Sequence, residues 1–147
     1  MKSKHKFRAW DESQKYMAYQ GSPDLETIQS FMYHFGDKEL MESTWLHDKN
    51  GHGQEVWEGD IFDVVFKNCP DGFEIMGQET EIKIVKGVVV NIFGAFRVKF
   101  IHPEWNEVVY VMLHEFLKNE EKVVIGNIYE NHELINQPIK QDGNNNK

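Results

Sequence analysis

Phe96-Arg97-Val98-Lys99-Phe100 alternates apolar and charged residues without a break. Successive side chains of a strand point to opposite faces, so Phe96, Val98 and Phe100 share one face and Arg97 and Lys99 the other. A lone strand is not stable, and the flanking sequence supplies neighbours. Glu81 to Ile92 is rich in Val and Ile and is joined to it by a turn at Phe93-Gly94-Ala95, while His102-Pro103-Glu104-Trp105-Asn106 is a turn into Glu107–Met112. Upstream, Glu58-Gly59-Asp60 opens Ile61-Phe62-Asp63-Val64-Val65-Phe66, a strand of about Asp60 to Lys67, and a loop with Cys69-Pro70-Asp71-Gly72 and Gly77 follows. Leu113, Phe116 and Leu117 stand at i, i+3, i+4 and predict one or two helical turns before a fifth strand at Lys122–Ile125. Five short strands with a helical turn before the last is the element order of an SH3-like barrel, a small, partly open sheet that hides most of its edges.

The N-terminal third reads differently. Lys4–Trp10 and Lys15–Tyr19 flank Asp11-Glu12-Ser13-Gln14, which predicts a β-hairpin. Ser22-Pro23-Asp24 suits a helix start, and Leu25, Ile28, Met32 and Phe35 recur at spacings of 3, 4 and 3, so a helix is expected over residues 24–33 with these four on one face. Asp48-Lys49-Asn50-Gly51 is a turn signal, because Asn-Gly supplies the positive φ angles of tight hairpins. A short helix over Tyr129–Ile135 and a disordered polar tail from Gln137 to Lys147 complete the expectation. The chain is therefore read as mainly β (α+β), one domain over residues 1–136: hairpin and helix/turn section 1–55, barrel core 56–128, short helix 129–136, then the tail 137–147.

With 147 residues the chain buries about two-thirds of its unfolded surface in one domain and needs no disulfide, which its single Cys69 cannot form internally. The start lacks a signal-peptide pattern and no window approaches the roughly 18 apolar residues of a membrane span, so a soluble protein in the cytoplasm of a bacterial host cell is expected, with no membrane partner. Charge is uneven: residues 1–10 hold Lys2, Lys4, Lys6 and Arg8 and no acid, and the rest carries 12 basic against 24 acidic side chains, a formal −12. An acidic body argues against generic duplex binding, while the basic arm is a candidate contact for an acidic partner.

Three stretches, in order, give the chain a resemblance: Lys6-Phe7-Arg8-Ala9-Trp10-Asp11, the block from Leu40 to Ile61, and Ile125-Gly126-Asn127-Ile128-Tyr129-Glu130-Asn131. Together they resemble the YopX family of phage and prophage proteins, most diagnostically through Asp48-Lys49-Asn50-Gly51 followed by Trp57-Glu58-Gly59-Asp60-Ile61. The chain departs from the family pattern at Trp45, where glycine is typical, and at Gly53-Gln54, where the turn is about two residues longer. The resemblance implies a small β-rich domain carried by mobile genetic elements, and it implies no established enzymatic activity, cofactor or ligand. Structural roles are expected for the motif residues Asp48, Asn50, Gly51, Glu58, Gly59, Asp60, Gly126, Asn127 and Tyr129.

Chemical motifs are sparse. Glu58 and Asp60, two apart, offer carboxylates that a divalent cation would accept with Asp48 or Asp63, yet spacing fixes no third ligand and a turn-stabilising role for Asp60 is the better reading. The seven histidines lack zinc spacing, and Cys69 has no flanking signature of a nucleophile. No phosphate-binding glycine motif is present. No catalytic residue, metal ligand or cofactor is assigned. The candidate interaction surface is Lys4, Lys6, Arg8, Trp10, Trp57 and Trp105. The leading expectation is a non-enzymatic accessory or adaptor protein working through protein contacts, including homo-oligomers. The alternatives are a nucleic-acid accessory factor using the basic arm and stacking aromatics and, less favoured, a metal-dependent hydrolase.

Overall fold

The computed structural model describes residues 5–21, 28–36, 38–67, 82–119, 122–135 and 140–142. The expected hairpin forms from β1 (Phe7–Asp11) and β2 (Tyr16–Tyr19), paired antiparallel. The Asp11 carboxylate accepts the Ser13 and Gln14 amides at 3.1 and 3.2 Å, closing the turn. A helix, α1 (Ile28–Phe35), packs on this sheet; the Ser22-Pro23-Asp24 start lies outside the described residues. Phe31 and Phe35, four apart, bury their rings against Ala9 and Ala18, whose small side chains let the helix approach. Met32, expected on this face, is exposed instead, because the two phenylalanines set the rotation of the helix.

β3 (Leu40–His47) pairs with β1, and after a single helical turn, α2 (Asp48–Gly51), the chain returns as β4 (Glu55–Trp57), giving the order β2-β1-β3-β4. The Asp-Lys-Asn-Gly turn thus does join a hairpin, but its positive φ angles fall on Lys49 and Gly51. Between the pairs Ser43↔Trp57 and His47↔Glu55 the chain takes four steps on β3 against two on β4, so β3 bulges. Trp45 sits in the bulge at φ 64. The interrupted ladder is repaired by hydroxyls: Thr44 Oγ1 donates to the Val56 carbonyl at 2.6 Å and accepts from Leu46 N, while Ser43 Oγ accepts from Trp45 N.

The second sheet curls as a half-barrel of β5 (Asp60–Lys67), β6 (Ile82–Ile92), β7 (Ala95–Ile101), β8 (Val108–Met112) and β9 (Gly126–Asn127) in the order β8-β7-β6-β5-β9. Four of its strands match the sequence expectation. On β7, Val98 and Phe100 are buried and Phe96 packs half-buried beside them. Between β8 and β9, α3 (Leu113–Asn119) turns Leu113, Phe116 and Leu117 onto the concave face, where Phe116 meets Phe62 edge-on at 5.3 Å. Val56 of β4 enters the same core and joins the two sheets.

Three expectations are corrected. Lys122–Ile125 is not a strand: Val124 N goes to the Asp48 carboxylate at 2.9 Å and Ile125 N to the Ile61 carbonyl, so regular pairing starts only at Gly126. In place of a helix over 129–135 there is a turn and one 3-10 turn, His132–Leu134, because the Asn127 and Asn131 side chains bind nearby backbone amides. The tail is not wholly unstructured, since β10 (Lys140–Asp142) pairs with Ile82–Ile84 of β6.

Candidate functional site

The three motif stretches, far apart in sequence, meet where the two sheets touch. Arg8 leaves β1 and reaches β5, its Nη2 donating to Asp60 Oδ1 at 2.8 Å and to the Glu58 carbonyl at 3.1 Å. Only 2% of Arg8 is exposed. Its guanidinium carbon lies 5.5 Å from the centre of the Trp57 ring, and Trp57 meets Tyr19 edge-on at 5.3 Å. The other Asp60 oxygen accepts Trp57 N at 2.8 Å. Gly59, at φ 92, makes this turn possible: a side chain there would be strained and its Cβ would stand 3.0 Å from the Met41 sulfur. Burial pushes the Asp60 carboxyl above its ordinary range; Arg8 and the Trp57 amide pull the other way and offset part of that.

Asp60 pairs with Asn127 of β9, which brings in the third stretch. Asn127 Oδ1 accepts the Tyr129 and Glu130 amides at 3.0 and 2.9 Å, holding the turn in which Tyr129 stacks on Trp10 with ring centres 6.2 Å apart. The Tyr129 hydroxyl donates to Glu39, and burial together with that carboxylate pushes its pKa up to about 12. Glu58 is also shifted upward, first by burial and then by Glu42 and Glu39 nearby, with the Glu42 amide opposing. Asp60 is matched by Arg8, and Glu58 and Tyr129 are held by hydrogen bonds to the Glu42 amide and the Glu39 carboxylate. Among the described residues no three His, Cys, Asp or Glu side chains are gathered to hold a metal ion.

The remaining candidates scatter. Lys6 pairs with Glu55 at 2.9 Å and lies over Trp45 and Trp57, at 4.6 and 5.4 Å from their ring centres. Trp57 is buried and Trp105, 63% exposed, stands on the far loop stacked on His102 at 3.8 Å. The six proposed surface residues therefore do not form one patch: Arg8 and Trp57 belong to the interior, and Lys4 lies outside the described residues. Asp48 is also interior, its carboxylate accepting Gln54 N and Val124 N at 2.8 and 2.9 Å. Sequence reasoning named Trp105 but passed over the edge strand that follows it, where β8 exposes Val108, Tyr110 and Met112. The uncharged run Val-Val-Tyr-Val-Met was the available signal.

A family model described as YopX protein matches residues 22–136, most of the chain. The chain belongs to the YopX family. No curated protein and no solved structure matches it. The YopX match takes in the Leu40–Ile61 block and the Ile125–Asn131 stretch and begins after the β1–β2 hairpin, so Arg8 reaches into the YopX region from outside it. No helix among the described residues is long and apolar enough to cross a membrane.

Proposed function

We infer that this YopX-family chain is a phage- or prophage-encoded accessory or adaptor protein that works through protein contacts in the cytoplasm of its bacterial host. The observation that carries the reading is the uncharged β8 edge: Val108, Tyr110 and Met112 are exposed on an edge strand with Trp105 next to them. A strand at the sheet edge among the described residues, with exposed large side chains, suits strand addition by a partner or by a second copy. The motif ions at the sheet junction are engaged with each other and serve the fold. The nucleic-acid alternative is weakened, since Arg8 is buried against Asp60 and Lys6 is paired with Glu55, which leaves the basic arm fewer free cations.

The test is binding of a copurifying partner, or self-association by light scattering, in the intact protein and in Tyr110→Glu and Trp105→Ala. Both variants keep the melting temperature and lose association. Salt-sensitive, submicromolar binding of single-stranded DNA that disappears when Lys2, Lys4 and Lys6 become Gln would overturn the reading.

A further inference from the structure

β6 is paired along opposite halves of one side by two different strands. Val88–Ile92 pairs with β7 and Ile82–Ile84 with β10, and the last β6–β7 pair is Val88↔Lys99. Past that pair β6 and β7 part, and a groove of about 580 Å³ opens between them on the convex face. Strand alternation makes its floor apolar: Val85 and Val89 point into the core, so Ile84, Val88 and Val90 point out. Ile101 forms one wall and Ile128 with Ile135 the other. Among the described residues the lining holds two lysines and no carboxylate, on a chain whose formal charge is −8. Lys86 is already held by Asp63. Lys99 is exposed, lines the groove, and makes no ion pair among the described residues.

We propose that this groove binds a single-chain amphiphile with a carboxylate head, its tail along Ile84, Val88 and Ile128 and its carboxylate on Lys99. Three observations select this occupant. The volume lies in the small-ligand range of about 300–1,000 Å³. The floor and both walls favour a hydrocarbon chain. Lys99 in the lining, without an ion pair among the described residues and within a molecule that otherwise repels anions, selects the head group. The groove adjoins the β8 edge, where Lys99 stands opposite Tyr110 and Ile101 opposite Val108, but its floor lies on β6, and decanoate binding is read apart from the association that tests the adaptor reading.

The experiment is an amide-resolved NMR titration of the full chain with sodium decanoate below its aggregation threshold, with decyl maltoside as the uncharged control. Saturable shifts are expected at Ile84, Val88, Ile101 and Ile128, with weaker binding of the control. Lys99→Glu, an exposed site that leaves the fold intact, should weaken decanoate roughly tenfold by replacing attraction with repulsion. Ile135→Glu, also exposed, should weaken it as well. No saturable shift, equal binding of the control, or unchanged affinity in Lys99→Glu overturns the proposal. So does a set of shifts at these amides that follows protein concentration instead of decanoate, which would make the groove a seat for a second copy.

Discussion

The two sheets are built on opposite principles. The half-barrel holds together through a regular ladder and a continuous apolar core from Phe62 and Val64 through Val89 and Val98 to Phe116, with its buried Asp60 and Asn127 at the end where the sheets meet. Under the smaller sheet the apolar cluster among the described residues is Ala9, Ala18, Phe31 and Phe35, two of them alanine, with Met41 and Trp57 buried beside it, and this part of the molecule also buries Arg8, Ser43, Thr44 and Asp48, each tied to a specific partner. The first tolerates change in proportion to volume. The second depends on pairing, because a buried polar group that loses its partner keeps its desolvation cost.

The sharpest break should come on the apolar side. Val98→Asp places a carboxylate with no partner in a fully buried site, a cost expected above about 4 kcal/mol, enough to abolish the thermal transition and the β-type circular dichroism. A folded variant with an unchanged melting temperature would show that the half-barrel core is not continuous at that position. Next comes the pairing side: Arg8→Met leaves Asp60 buried without its cation and should destabilise by about 3–5 kcal/mol in urea. Arg8→Met combined with Asp60→Leu should recover much of that loss, which would separate a lost pair from a lost shape; a double variant no better than the single one counts against the contrast.

Trp45 tests the bulge. Its φ of 64 suits glycine, and the ring is 52% exposed. Trp45→Gly and Trp45→Ala both remove the ring and its contact with Lys6, but only alanine keeps the backbone strain. The glycine variant should therefore be more stable by about 1 kcal/mol, the reverse of the order in an ordinary strand. The smallest effect belongs to Glu58. A folded pKa raised above 4.5 means that the native protein holds this proton more tightly than the unfolded chain, so stability from this group is present at low pH and is lost as pH rises through the folded value. Glu58→Gln, which keeps an oxygen for the Glu42 amide, should match the parent near pH 4 and melt slightly higher at pH 7. Equal differences at both pH values would remove burial and the neighbouring carboxylates as the cause.

The same contrast decides what could be read from the sequence. β5 to β8 were legible because they are rich in branched and aromatic residues, and on β7, where Val98 and Phe100 are buried and Lys99 is exposed, periodicity and burial agree. β3 was not, since its bulge shifts the inward positions and two of its buried residues are the hydroxyl-bearing Ser43 and Thr44. Val123, Val124 and Ile125 have strand propensity, yet the Asp48 carboxylate, 76 positions from Val124, captures the amide first. Arg8 looked like part of a solvated basic arm, because its neighbours are lysines and its partner lies 52 residues away. For the candidate site, the motif residues were recognised as a set, but their meeting at one point came only from the strand order.

That meeting point also bears on heredity. The YopX match begins at residue 22, whereas β1 lies centrally in the smaller sheet and carries the cation that Asp60 requires. A relative that exchanged its first twenty residues for others would inherit a buried carboxylate without its counter-charge. The stretch that the family model matches is thus shorter than the piece of this chain that supplies the buried pair.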